Sequence, residues 1–136
     1  GDTFRWKGEN VSTAEVEQRL SEAPGVQEVI AYGVEVPGQE GKAGMVGLVL
    51  DEKFDAAAFA AWADEQLPTY ARPVFVRMLK SADTTGTFKY RKVDLVADGF
   101  DPDKVDGPVW VRGGKAGYQK LTAKAREAIL SGATRL

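Results

Sequence analysis

Two apolar runs separated by a turn constrain the fold of this chain more than any other feature. Residues 26–36 and 44–50 are rich in β-branched and aliphatic side chains, and residues 37–42 between them read Pro-Gly-Gln-Glu-Gly-Lys. Glycine and proline at such positions are typical of turns, so we predict two paired strands. The same composition predicts a strand over residues 74–79 and a short strand over residues 108–112.

Four segments between and after these strands carry the start and stop signals of helices. The clearest signal is the capping box of Ser12 and Glu15, which precedes an apolar face that ends at Pro24. The second predicted helix follows the capping residue Asp55, and the third begins at Lys89. The fourth covers residues 120–130, with Thr122 as its capping residue. Helices mixed with strands in so short a chain predict an α+β domain, a small sheet with helices packed on it.

The composition excludes several classes of function. A chain of 136 residues without cysteine or histidine has no thiol nucleophile, no imidazole base, no disulfide and none of the usual zinc ligands. Eighteen basic and twenty acidic residues give a formal charge of −2, which argues against nucleic acid as a partner. We therefore predict one domain over residues 1–136, without a metal site of its own.

The apolar content and the first residues of the chain lead to two predictions, one about membrane insertion and one about the length of the natural protein. No apolar run approaches the roughly 20 residues that a transmembrane helix needs, so we predict no membrane-spanning segment. The first residues contain neither a methionine nor the features of a signal peptide, which predicts a fragment of a longer polypeptide. Considered alone, the residues assemble no complete active site: there is no paired base and nucleophile, and no phosphate loop of the Gly-x-x-x-x-Gly-Lys type.

Three motifs in chain order carry a family resemblance. Residues 4–12 read Phe-Arg-Trp-Lys-Gly-Glu-Asn-Val-Ser, residues 67–75 read Leu-Pro-Thr-Tyr-Ala-Arg-Pro-Val-Phe, and residues 85–95 read Thr-Gly-Thr-Phe-Lys-Tyr-Arg-Lys-Val-Asp-Leu. They resemble the mobile C-terminal domain of adenylate-forming enzymes, and their sequences are most similar to those of fatty acid transport proteins and very-long-chain acyl-CoA synthetases. Residues 99–102 and 108–111 continue the likeness, so the resemblance covers nearly the whole chain.

The resemblance implies a reaction and its partners. A larger N-terminal domain of the same polypeptide would bind fatty acid and ATP with Mg²⁺, and coenzyme A would receive the acyl group. The small domain would swing between one pose for acyl-adenylate formation and another for thioester formation. Residues 100–136 would form a C-terminal extension packed on the rest. The parent protein is expected to be cytoplasmic or a peripheral membrane protein.

The resemblance also implies the site residues. By register, Lys89 matches the adenylation lysine, whose ammonium would bridge the carboxylate and the α-phosphate. Gly8, flanked by Lys7 and Glu9, would line the pantetheine tunnel of coenzyme A, because only glycine lets a backbone approach a ligand so closely. Gly1 stands where these enzymes have their interdomain hinge.

Each assignment has a plainer alternative. Without its motif, Lys89 would be an ordinary exposed lysine, and Gly8 would be a hairpin or bulge glycine. Arg91 and Lys92 could attract phosphate, but a small basic cluster is more often a solvated surface. At the level of function, the alternatives are an interaction module that keeps the fold without the chemistry, and a ligase for another acid, either carnitine-type or aromatic.

Overall fold

A hairpin followed by a mixed sheet forms the framework of the computed structural model, which describes residues 2–80, 91–113 and 117–136. Within these residues the strands are β1 Thr3–Trp6, β2 Glu9–Ser12, β3 Val26–Val34, β4 Ala43–Leu50, β5 Phe75–Met78, β6 Val109–Arg112 and β7 Tyr118–Lys120. Strands β1 and β2 form the antiparallel hairpin, and β3 to β7 form a five-stranded sheet in that order. All neighbours in the sheet are antiparallel except β4 and β5, which run parallel.

Three of the four helices among the described residues begin directly after a predicted capping residue. The four are α1 Thr13–Leu20, α2 Ala56–Gln66, α3 Lys92–Asp98 and α4 Ala123–Leu130. The Ser12 hydroxyl accepts from the Glu15 N–H at 3.3 Å, the Asp55 carboxylate accepts from the α2 backbone at 3.0 Å, and the Thr122 hydroxyl accepts from the α4 backbone at 3.0 Å. Each bond satisfies an N–H that has no partner within the helix, which confirms the three predicted caps.

Two of the predicted bounds need correction. The helix start at Lys120 is wrong, because that residue ends β7, which pairs with β6, and α4 begins only at Ala123. The strands of the hairpin over residues 3–12 were not predicted, although a hairpin was one of the alternatives for Gly8. The predicted third helix starts at Lys89, outside the described residues, and its described part begins at Lys92.

The centre of the sheet is covered on both faces. All of β4 is buried apart from its last residue, Leu50, so the side chains on both faces of this strand are covered. Phe59 of α2 and Phe75 of β5 are almost fully buried in this core. Trp62 of α2 donates its indole N–H to the Arg19 carbonyl at 2.8 Å, which ties α2 to α1. The α+β class predicted from the sequence is confirmed.

The hairpin packs on the sheet through one aromatic ring and one backbone contact. Gly33 of β3 and Gly44 of β4 are cross-strand partners, and a Cβ on either would meet the Phe4 ring at 2.9 Å or 3.4 Å. The absence of side chains at this pair therefore makes room for Phe4. The Lys42 N–H donates to the Arg5 carbonyl at 2.7 Å. These contacts fix β1 beside the turn between β3 and β4.

That turn depends on Gly41 more than on its neighbour Gly38. Both have a left-handed backbone, with φ of 81° and 80°, but a Cβ on Gly41 would overlap the Arg5 carbonyl, whereas a Cβ on Gly38 meets no atom within 4 Å. We expect Gly38→Ala to lower the free energy of unfolding by about 1–2 kcal/mol, the cost of a left-handed conformation. For Gly41→Ala we expect about 1–3 kcal/mol more, because the hairpin must shift. Urea unfolding of both variants measures the difference, and equal losses would contradict this account.

Residues beyond α3 extend the same sheet. The Phe100 ring stacks on Phe75 with centroids 4.3 Å apart, and the Tyr118 hydroxyl donates to the Pro73 carbonyl at 2.5 Å. Strand β6 pairs with β5 from Val109 onward. The proposed boundary of a C-terminal extension at residue 100 stays a prediction.

Candidate functional site

The turn of the hairpin contains the three residues predicted to line the pantetheine path. Lys7 has φ of 52° and Gly8 has φ of 81°, and positive φ at both central residues is the pattern of a type I′ turn. Glu9 begins β2 and pairs with Trp6. Glycine adopts this backbone without steric cost, whereas a lysine there is uncommon.

The turn is held from the strand side and open on the outside. Arg5 donates its Nη2 to the Gly8 carbonyl at 2.7 Å and its Nη1 to the Asn10 side chain at 3.3 Å. The Lys7 ammonium lies 5.6 Å from the centroid of the buried Trp6 ring. A Cβ on Gly8 would meet no atom within 4 Å. The turn geometry alone accounts for a glycine here, so the tunnel role of Gly8 stays a prediction.

A basic groove of about 480 Å³ lies beside Lys7. Arg72, Arg112 and Arg135 line it together with Lys7, and Asp64 is the acidic residue among the lining side chains. Four cationic side chains around one carboxylate make this groove suited to an anionic ligand.

Asp64 orients the two inner arginines of this groove. Its carboxylate lies 2.7 Å from Nη2 of Arg112 through both oxygens and 3.6 Å from Nε of Arg72. Burial is the largest single effect and lowers the pKa of Arg112, but the hydrogen bond and charge of Asp64 and the interactions with Tyr118 together outweigh it, so the pKa is raised. Arg112 also lies over the Tyr118 ring at 5.3 Å, and burial raises the pKa of Tyr118. Asp64 therefore holds the Arg112 guanidinium in a fixed direction.

Lys89 and Gly1 lie outside the described residues. The flanks of the segment that contains Lys89 are described: β5 ends at Met78, and α3 begins at Lys92. The Lys92 ammonium lies 3.4 Å from the Asp2 carboxylate and 3.8 Å from that of Glu17, which also accepts the Ala31 N–H at 3.0 Å. Lys92 therefore holds α3 against α1 and β1 and is engaged in ion pairs of the domain itself.

An ion pair that contains a buried arginine was not predicted from the sequence. Arg77 in β5 is 5% exposed, and its Nη1 donates to the Asp98 carboxylate at 3.0 Å. The prediction of a strand over residues 74–79 did not take account of the charge of Arg77. An arginine between apolar neighbours in a strand is itself a signal, because such a charge is buried only together with a partner.

The described residues contain neither a cluster of metal ligands nor a membrane-spanning helix. No group of three carboxylate, imidazole or thiol side chains within residues 2–80, 91–113 and 117–136 could hold a metal ion. None of the helices in that part of the chain has the length and apolar character needed to cross a bilayer.

Comparison with known proteins identifies what this chain is similar to. Residues 15–89 match the family described as the AMP-binding enzyme C-terminal domain. Human Long-chain fatty acid transport protein 3 is 45% identical over 139 aligned residues, which cover 100% of this chain and 20% of that protein. The chain thus spans about a fifth of the length of the curated relatives it matches.

Solved structures show the same fold. The Mycobacterium tuberculosis fatty acyl CoA synthetase superposes with a TM-score of 0.58 and 26% identity, covering 71% of this chain and 19% of that chain. A double mutant of o-succinylbenzoate CoA synthetase from Bacillus subtilis, bound to its product analogue OSB-NCoA, superposes with a TM-score of 0.54 and 31% identity. It covers 59% of this chain and 16% of that chain.

Proposed function

The chain belongs to the AMP-binding enzyme C-terminal domain family, and from that membership we propose that it is the C-terminal domain of a long- or very-long-chain fatty acyl-CoA synthetase. The observation that carries this proposal is the 45% identity to a fatty acid transport protein across the whole chain. The larger N-terminal domain of the same polypeptide is its partner. Fatty acid, ATP and coenzyme A are the substrates.

In the first half-reaction, a carboxylate oxygen of the fatty acid attacks the α-phosphorus of ATP, and pyrophosphate leaves. Negative charge gathers on the carboxylate and the phosphate as this bond forms. An ammonium group fixed between them stabilises that charge more in the transition state than in the ground state. We assign this role to Lys89, on the motif of residues 85–95.

In the second half-reaction, the thiol sulfur of coenzyme A attacks the acyl carbonyl, the thiol proton is lost, and AMP leaves with the electrons of its acyl–oxygen bond. We assign Lys7, Gly8 and Glu9 to the pantetheine arm. The open outer side of the Gly8 turn supports this assignment. The groove with Arg72 and Arg112 supports it as well, because coenzyme A carries several phosphate groups that such a groove would attract.

Mg²⁺ is assigned to no described residue of this chain. Since no group of metal-ligating side chains occurs in residues 2–80, 91–113 and 117–136, we derive no step through the ion. Binding of ATP, of its metal and of the acyl chain is proposed for the larger domain. This chain then supplies Lys89 to one step and the hairpin turn to the other.

The proposed function predicts that the isolated chain and the complete enzyme differ in activity. The purified chain is expected to show no fatty-acid-dependent ATP–pyrophosphate exchange, whereas the complete enzyme is expected to show it with long-chain substrates. Exchange by the isolated chain would contradict the proposal. The complete enzyme should also be tested with aromatic acids and carnitine, and a preference for either would replace the fatty acid in the assignment. A parent protein without any ligase activity would support the interaction module instead.

A further inference from the structure

Helix α3 presents two apolar side chains to solvent. Val93 is 60% exposed and Val96 is 40% exposed, and they are the two large hydrophobic residues that are exposed within residues 2–80, 91–113 and 117–136. Because they lie three positions apart, they are neighbours on the helix surface. Another side of α3 is buried through Leu95. Single exposed apolar residues are normal on a protein surface, but an adjacent pair on one helix is a candidate contact surface.

The exposed pair lies close to Asp2, at the N-terminal side of the domain. Val96 follows Lys92 by four residues, one turn along the helix, so the two side chains are neighbours on its surface. The Lys92 ammonium lies 3.4 Å from the Asp2 carboxylate. The Asp2 carbonyl accepts from both the N–H and the hydroxyl of Thr13, each at 3.1 Å. Asp2 is therefore fixed between the start of α1 and the start of α3.

Family membership places a larger domain on this side. The chain belongs to a family of C-terminal domains and spans about a fifth of the length of its curated relatives. The rest of such a protein is joined to this chain through residues that precede Asp2. A domain joined there lies within reach of α3, because the ion pair with Lys92 brings Asp2 within one side-chain length of the helix.

A groove beside Val96 gives this surface a recess. Its volume is about 330 Å³, and Gly33 of β3 and side chains of both charges, among them Lys42 and Asp101, line it together with Val96. Protein interfaces combine covered apolar residues with a polar rim, and recesses in them receive projecting side chains of the partner. The two valines and the adjoining groove have this arrangement.

We propose that Val93 and Val96 of α3 form a docking surface for the larger N-terminal domain of the same polypeptide. The inference rests on the proposed function in one respect, since that function requires the larger domain. Two partly exposed valines supply only a small part of a standard interface, so the contact can be made and released as the domain changes its pose. A lipid surface is the less suitable partner, because α3 contains Asp94 and Asp98 and its one lysine is engaged in ion pairs, whereas helices that bind lipid are rich in basic residues.

The test is photo-crosslinking in the complete enzyme with Val93→p-benzoylphenylalanine, irradiated both without ligands and with a non-hydrolysable acyl-adenylate analogue. We expect a crosslink from position 93 to a peptide of the larger domain in at least one of the two states, identified by mass spectrometry. Ala14→p-benzoylphenylalanine is the matched control. Ala14 is exposed and follows Thr13, so it is also close to Asp2 but lies outside α3. The yield of crosslinks to the larger domain should be several-fold higher at position 93.

The other outcomes overturn the docking surface. These are crosslinks confined to residues 1–136, to a second copy of the enzyme or to added vesicles of phosphatidylcholine and phosphatidylserine, equal yields at positions 93 and 14, and no crosslink at all. Should the enzyme altered at position 93 not fold, Val96→p-benzoylphenylalanine is read in the same way. Failure of the proposed function is seen separately, as the absence of fatty-acid-dependent ATP–pyrophosphate exchange by the unmodified enzyme, whatever the crosslinks show.

Discussion

Replacing Lys89 by alanine in the complete enzyme is expected to slow acyl-adenylate formation by about 10²–10³-fold, or about 3–4 kcal/mol of transition-state stabilisation. The reason is that negative charge concentrates on the carboxylate and the α-phosphate while this bond forms, and a preorganised cation there stabilises the transition state. Thioester formation from synthetic acyl-adenylate should persist, because Lys89 is proposed to act only in the first half-reaction. Assaying the two half-reactions separately measures both effects.

Two control variants make this result interpretable. Lys124→Ala removes an equal charge from α4, in an exposed position that the proposal gives no role, and should leave both steps unchanged. Lys89→Arg keeps the charge but presents a planar fork instead of a compact ammonium, so we expect an intermediate rate. The free energy of unfolding of the isolated chain should change by less than about 0.5 kcal/mol in Lys89→Ala. Near-normal adenylation by Lys89→Ala would refute the assignment.

Local signals predicted most of the sheet and the helices. Caps such as Ser12 and Asp55 identified helix starts, because the hydrogen bond that defines a cap is made within four residues. The strands of residues 26–36 and 44–50 were recognisable because their core positions are apolar along most of their length. A helix with a capping residue nearby in the chain, or a strand that is apolar along most of its length, can therefore be predicted from the sequence.

The short strands could not be read in this way. Strand β7 has three residues, Tyr118–Lys120, and exists because it pairs with β6. The hairpin of β1 and β2 is held on the sheet by Phe4 above Gly33 and Gly44, residues some 30 to 40 positions later in the chain. Contacts over such distances leave no periodic pattern in a four-residue strand. This is the physical reason why the two strands were not predicted, although their motif was recognised and a hairpin was one of the alternatives for Gly8.

The candidate site likewise contains some residues that could be predicted from the sequence and others that could not. Lys7, Gly8 and Glu9 were predicted as a group through the resemblance, and the structure brings them together in one turn. The groove formed by Arg72 and Arg112 was not predicted, because these residues lie in different elements and converge only through Asp64. Charged residues that are distant in the chain and come together only in the folded state cannot be grouped from the sequence.

Replacing Gly8 by valine in the complete enzyme is expected to slow thioester formation by on the order of 10²-fold while adenylation survives. Two effects combine. A β-branched side chain strongly disfavours φ of 81°, so the turn must rearrange. Any side chain at this position also occupies the open outer side of the turn, where the pantetheine arm is proposed to pass. Rates of thioester formation from synthetic acyl-adenylate, measured over a range of coenzyme A concentrations, test this expectation.

Gly38→Val is the matched control for this prediction. Gly38 has nearly the same φ, 80°, and a Cβ there also meets no atom within 4 Å, so the two substitutions impose the same backbone strain at different places. Both should lower the free energy of unfolding by a similar amount, and by more than the roughly 1–2 kcal/mol expected for alanine, because valine is β-branched. Only Gly8→Val should impair thioester formation selectively, because only Gly8 is proposed to border coenzyme A. If both variants impaired this step equally, strain in the fold would explain the loss, and the tunnel role of Gly8 would be wrong.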